Sequence, residues 1–349
     1  MGENRAENSV GTMDVQSPDL VEDFTPTHPA FLHGHGVKDR VGTPLSWEDI
    51  QEPNFTSAYD FVWLHFDVNM AETATWIESC SDIPIEAQRG LLADETRPQM
   101  LPFDQGIFVN LRSVNLNQGA EAEDMVSIRI WGSEKLVVTT RRRIMKSIQD
   151  VRLSVRNKGG PGNTGELIAL LAKRLTLRVE PYILNIADKV DDLEDEILTG
   201  DASGCRPRLA GVRHDAVRLR RFMSPQRDAL NRLAYHEGAL FDDRSQIDLR
   251  EIADDVTRMT EELDAARERA MVLQDQLTDQ RAEEMNRNMM ILSVVAAVFL
   301  PLGFLTGLFG INVGGMPGVD NPDAFWMVVA SCTFISVLLL ALFKAMKWI

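Results

Sequence analysis

Five carboxylates crowd one short stretch of the chain: Asp191, Asp192, Glu194, Asp195 and Glu196. Oxygen donors at that density can gather a hard divalent cation. The same run also suits a solvated helix face, and charge alone does not separate the two. His33 and His35 stand two apart in a strand-like stretch, so both project from one face and could hold a transition metal. A zinc site needs three or four ligands, and the sequence gives this pair no third. His65 lies in an aromatic stretch and is expected as a core histidine. Cys80, Cys205 and Cys332 are scattered without ligand spacing, which points to a reducing compartment and no disulfide frame. Gly159, Gly160 and Gly162 flank Pro161 without the Lys-Ser/Thr ending of a phosphate-binding loop, so a plain loop is expected. No nucleophile elbow occurs. Neither an enzyme nor a bound cofactor is expected.

Another kind of chemistry needs no reactive side chain. From Met289 to Phe309 the sequence holds no charge, and the run ends in Gly310, Ile311 and Asn312. An ion crossing lipid needs polar groups that face a wet lumen. On a helix one face recurs about every 3.5 residues. Starting from Asn286, that face takes Met289, Ser293, Ala296, Leu300, Gly303 (or Phe304) and Gly307. It is small and weakly polar, with an asparagine at each end. Copies packed as a ring would enclose a narrow pore, with Met289 and Leu300 as apolar constrictions. A dehydrated divalent ion would want carboxylates or, for zinc, His and Cys. Their absence favours a hydrated ion whose water shell touches amide and carbonyl oxygens. Small residues also permit close helix packing, and periodicity leaves that reading open.

The elements that position this face follow from length and hydropathy. The run Met289–Phe309 is long enough to cross a bilayer, which takes roughly 20 apolar residues. A loop over 311–323 carries two aspartates and no basic residue, and a second apolar run, 324–343, returns to a basic end at 344–349. Arg287, Lys344 and Lys347 flank the two spans, so both ends are expected inside and the loop outside. No apolar signal segment is seen in residues 1–26. The body before the spans is therefore expected in the cytosol. The chain has 349 residues and a net charge of −16, which argues against a nucleic-acid binder. It fits a solvated body, or one that attracts cations.

Residues 1–27 read as a disordered acidic tail. Over 28–244, strands are expected at 29–37, 59–68, 105–115, 125–131 and 135–140, with helices at 71–79, 85–92 and 147–157. That mixture suggests an α/β or α+β layer domain with a mixed sheet. One long amphipathic helix is expected over 166–198. A basic helix over 209–221 follows, with a restart at Ser224 and Pro225. The acidic and basic helices suggest an antiparallel hairpin paired by charge, or two solvated faces.

Ile252, Val256, Met259, Leu263, Ala266, Ala270, Leu273 and Leu277 are spaced four-three-four-three, a heptad seam. No Pro or Gly interrupts Ile247–Leu300, so one helix is expected over 245–310, about 100 Å long at 1.5 Å per residue. Such a seam needs partners, and self-assembly into a ring would supply them.

The tract Pro301–Asn312 (PLGFLTGLFGIN), with its short loop, second span and basic end, resembles the CorA metal-ion transporter superfamily. That family's signature is Gly-Met-Asn. Here Ile311 replaces the methionine, which resembles the ZntB zinc-transport branch. Trp63–Asp67, Ala93–Pro98, Val114–Asn117, Glu123–Trp131, Ser224–Asp228 and the closing Lys347–Ile349 are similar to that branch as well. The resemblance implies a homopentameric funnel with a cytoplasmic αβα domain and a stalk helix that runs into the pore, in a bacterial inner membrane. It implies Asn312 in an outer selectivity ring, and Asn286, Met289, Leu292 and Leu300 toward the lumen. Leu292 differs by one place from Ser293, the periodic choice. The family moves divalent cations: magnesium and cobalt in one branch, zinc in the other, with proton coupling proposed for zinc. No ionisable group within the spans offers a proton site. A magnesium channel gated by cytosolic metal and a non-transporting membrane sensor stand as the alternatives.

Overall fold

The computed structural model describes residues 28–94, 97–200, 202, 204–311, 318 and 321–346. The tail expected over 1–27 lies outside them. The chain forms two compact units, Met1–Lys189 with Val212–Arg267, and Val190–Gly211 with Glu268–Ile349.

The first unit is built on seven strands: β1 (Phe31–Lys38), β2 (Val41–Leu45), β3 (Phe61–Asp67), β4 (Gln99–Phe103), β5 (Gly106–Ser113), β6 (Val126–Ser133) and β7 (Leu136–Arg141). Their order is β2-β1-β3-β7-β6-β5-β4. Only β3 and β7 run parallel, with Val62 opposite Leu136; the other neighbours are antiparallel. The mixed sheet expected from the sequence is therefore present. Central strands such as FVWLHFD are buried on both faces, which needs helices above and below.

Helices α1 (Ala71–Ser79) and α2 (Ile85–Leu92) cover one face. Trp76, Ile77, Ile83, Ala87 and Leu91 close there over Phe31, Val62, Leu64, Phe66 and Trp131. Each large apolar side chain so enclosed contributes roughly 1.5–3 kcal/mol. Helices α3 (Lys146–Arg156) and α4 (Thr164–Leu177) cover the other face, where a Cβ on Gly132 would meet Ile168 Cδ1 at 2.6 Å. This is an αβα sandwich.

Two strands escape sequence reading, β2 and β4. Both are edge strands of five residues, and each contains a proline, Pro44 or Pro102. Proline removes a ladder donor, which only an edge tolerates, and their exposure blurs the hydrophobic alternation.

Four more helices follow: α5 (Glu180–Leu198), α6 (Cys205–Ala234), α7 (Asp243–Gly310) and α8 (Ala324–Ala345). The single helix expected over 166–198 is corrected to α4 and α5. Pro181 cannot donate to the Leu177 carbonyl, and it sits in the first turn of α5, where no donor is missed. The restart expected at Pro225 is also corrected, because α6 runs through it. The missing bond is outweighed by burial on both sides: Met223 is enclosed, and Gln226 Oε1 accepts the Arg112 backbone N–H at 2.7 Å.

The heptad seam is buried within one chain. In the first unit Ile252, Val256, Met259, Leu263 and Ala266 are enclosed, as are Ile183 and Ile186 of α5 and Leu219 and Met223 of α6. In the second unit Ala270, Leu273 and Leu277 are enclosed, with Val190, Leu193 and Ile197 of α5. The seam thus finds its partners inside the chain, and it gives no reason for a ring.

Candidate functional site

Helices α7 and α8 are both long and apolar enough to cross a membrane. Each shows a stripe turned out of solvent. On α7 it runs through Val294, Val298, Pro301 and Leu305; on α8 through Ala324, Val328, Cys332, Ile335, Leu339 and Phe343. These repeats of three and four are what a two-helix hairpin covers.

The face expected to line a lumen lies on the other side of α7. Asn286, Met289, Leu292, Ser293, Ala296, Leu300, Gly303 and Gly307 are all exposed in the chain. At about 100° per residue, the centres of this set and of the covered stripe lie about 150° apart around the helix. Leu292 and Ser293 fall on either side of its midline, so the periodic choice and the resemblance name two flanks of one face. Ser293 donates its hydroxyl to the Met289 carbonyl at 2.8 Å, which satisfies its proton and leaves oxygen lone pairs on the exposed surface. Thr306 does the same to Leu302 at 2.9 Å, a polar group the periodic reading did not single out. Leu300, 73% exposed, Leu292, 70% exposed, and Met289, 52% exposed, are the large apolar groups of the face. Gly310 ends α7 and Ile311 follows it; Asn312, expected in the selectivity ring, lies outside the described residues.

The acidic run belongs to α5, and arginines occupy most of it. Arg269 of α7 bonds Asp191 at 2.5 Å and Glu194 at 2.6 Å. Those hydrogen bonds, to Glu194 and then Asp191, hold its guanidinium more firmly charged than usual. Arg208 of α6 bonds Glu196 at 2.5 Å, which lowers the carboxyl's pKa. Asp192 and Asp195 remain exposed. Among the described residues no three His, Cys, Asp or Glu side chains are placed to hold a metal ion. The charge pairing anticipated between α5 and α6 is carried by Arg208, with the larger share falling to Arg269. Arg269→Gln should release two carboxylates. Magnesium is then expected to raise the melting temperature of the variant by several degrees and that of the wild-type chain by about 1 °C or less. Equal shifts would mean that Arg269 does not occupy the cluster.

His33 and His35 share a face of β1, and the β1–β3 register brings His65 opposite His33. All three are buried. The loop Lys158–Pro161 is structural: Arg40 Nη1 bonds the Gly160 carbonyl at 3.1 Å and also grips Glu166 with both amino groups at 2.8 and 2.6 Å.

The fold and the exposed face define a class, a membrane-anchored αβα body with a C-terminal two-helix hairpin. Residues 59–345 match a family model described as CorA-like Mg2+ transporter protein, and the chain belongs to that family. It is 33% identical over 300 residues to the zinc transport protein ZntB of Pectobacterium carotovorum subsp. carotovorum, covering 86% of this chain and 90% of that one. It is 35% identical over 290 residues to the divalent cation transporter CmaX of Pseudomonas aeruginosa, covering 82% and 87%. The solved full-length CmaX structure superposes with a TM-score of 0.79 at 32% identity, over 92% of this chain and 99% of that one. The CorA magnesium transporter of Methanocaldococcus jannaschii shares the fold, with a TM-score of 0.74 at 18% identity over 91% and 98%. The likeness to CorA and its ZntB branch drawn from Pro301–Asn312 and its companion motifs stands.

Proposed function

We propose that this chain transports divalent metal cations, zinc foremost, across a bacterial inner membrane through a homopentameric pore lined by α7. The observation that carries the reading is the uncharged face from Met289 to Gly307. It is exposed in one chain and opposite the stripe that the hairpin covers. A surface of that composition stays favourable in lipid or against copies of itself, and the small residues allow copies to approach closely. Family membership and the names of the ZntB and CmaX relatives support cation transport, with zinc in the first case. Gly310, Ile311 and Asn312 are the proposed outer selectivity ring. Their carbonyl and amide oxygens would meet the water shell of an ion without stripping it. In this reading residues 28–244 form the cytosolic body, both chain ends lie inside, and the protein is a transporter without a cofactor.

The second reading, a magnesium and cobalt channel, draws on the family's own description. A flux assay in liposomes separates the two. Purified wild-type protein and Asn312→Ala are loaded with zinc, magnesium or cobalt, with and without a proton gradient. Zinc uptake by wild type, lost in Asn312→Ala, is the expected result. Flux of magnesium and cobalt without zinc favours the second reading, and no flux of any ion under any gradient ends both.

A further inference from the structure

The face of the sheet under α3 holds a cluster that the transport reading does not use. His33 and His65 lie side by side across β1 and β3, with ring centres 5.0 Å apart, and His35 is 5.4 Å from His33. Trp63 stands 4.7 Å from His33 and closes the group. All three imidazoles are buried, with exposures of 5%, 2% and 1% in the order His33, His35 and His65. Thr139 Oγ1 donates to the Leu64 carbonyl at 3.0 Å. It therefore accepts from His65 Nδ1 at 2.8 Å, and the Nε2 of His65 carries the lone pair. That Nε2, both ring nitrogens of His33 and Nδ1 of His35 make no hydrogen bond to the protein. A proton added at His33 or at His65 Nε2 would be held by an N–H with no acceptor, in an apolar enclosure.

The charges around the cluster oppose that proton too. Arg141 on β7 faces it from the sheet, and Arg152 and Arg156 face it from α3. Among the described residues no carboxylate acts on the three rings: Asp67 acts on Arg141, and Asp150 of α3 is bonded to Arg178 at 2.6 Å. Burial lowers all three histidines first; for His33 the neighbouring His65 and His35 follow and the guanidiniums come after them, while for His35, lowered to about 4, and for His65 the guanidiniums come second. Three guanidiniums and no carboxylate also disfavour a metal dication there.

Helix α3 is the element best able to yield. It has 11 residues, and no side chain caps its N-terminus. A helix that short is marginal alone, so it is held by packing. Ile148, Val151 and Val155 supply it, Val155 lying against Gly42, which pairs with Val37, two residues from His35.

We propose that this cluster is an acid-sensitive latch: uptake of protons by His33, His35 and His65 lifts α3 from the sheet of the cytosolic body. The inference does not rest on transport. The enclosed rings bind fewer protons than the exposed ones, so the closed state is favoured above the ordinary histidine value of 6.5 and weakens as pH falls from there toward about 4. For one ring titrating at 6.5 when exposed and about 4 when enclosed, the open fraction rises about tenfold between pH 7.5 and 5.5.

Hydrogen exchange on the full-length protein tests this, with rates corrected for the intrinsic pH dependence. Exchange of the α3 amides is expected to rise about tenfold or more over that range, while the seam of α7 stays flat. The triple variant His33→Gln, His35→Gln, His65→Gln should lose the response. Arg152→Gln with Arg156→Gln, which leaves the rings in place, relieves the repulsion in the closed state and brings the enclosed rings nearer the exposed value, so the response should level off at a higher pH, with a smaller total rise, when exchange is followed down to pH 4. The double variant keeps the test decisive if the triple one fails to fold. Flat exchange at α3 in wild type, or the same response in the histidine variant, overturns the proposal. So does a wild-type response that zinc abolishes at constant pH, since that would make the cluster a metal site.

Discussion

Ala296→Lys is expected to reduce divalent-cation flux to background in the liposome assay while leaving assembly intact. Ala296 is exposed near the middle of the uncharged face of α7. A lysine ammonium about 5 Å from a divalent ion opposes it by about 1.7 kcal/mol even at the dielectric constant of water. In the proposed ring of five, the opposition reaches about 8 kcal/mol, or more than five orders of magnitude in occupancy. Size-exclusion chromatography checks that the variant still assembles, and Ala296→Ser, which adds only a hydroxyl, is expected to retain flux. Undiminished zinc entry through the lysine variant would remove Ala296 from the path and with it the proposed orientation of α7.

Leu263→Ala is expected to destabilise the first unit by about 2–5 kcal/mol. Leu263 sits mid-seam, 1% exposed. The truncated side chain leaves a space that rigid, close-packed helices fill only in part. For a body of this size the melting temperature should fall by about 5–15 °C. Leu263→Met, which conserves volume, should cost less than about 1.5 kcal/mol. A negligible shift for the alanine variant, followed by tryptophan fluorescence, would show that the seam does not hold this part of the chain.

What the sequence disclosed and what it hid divide along physical lines. Helices α1 and α2 are legible residue by residue, because their repeats of three and four sit between clear turn signals. The seam from Ile252 to Leu277 is legible because period and burial coincide over many turns. Strands β2 and β4 are not, since an edge strand with a proline buries too little to leave a pattern. Pro181 and Pro225 show why a local rule is incomplete: the same residue type ends one helix and is overridden in another, by packing against distant β5. At the candidate site, the uncharged face of α7 could be found from periodicity alone. The fate of the acidic run could not, because Arg269 lies 75 residues from Glu194. His33 and His35 share a face by the two-residue period of a strand. His65 joins them only through the β1–β3 register, which no local pattern encodes.

The parallel pairing of β3 with β7 has a consequence for how the chain is made. The sheet cannot close at its centre until Arg141, the end of β7, has left the ribosome, because β1 and β3 have no other link to β5 and β6. Met289, where the uncharged run begins, is translated 148 residues later (289 − 141). At about 5–20 residues per second, that interval lasts about 7–30 s. Mixed sheets of this kind close within milliseconds to seconds. In the proposed topology, the order of elements thus lets the central sheet close before the insertion machinery receives the first greasy segment. A slow non-local pairing is thereby kept apart in time from the entry of the hairpin into lipid.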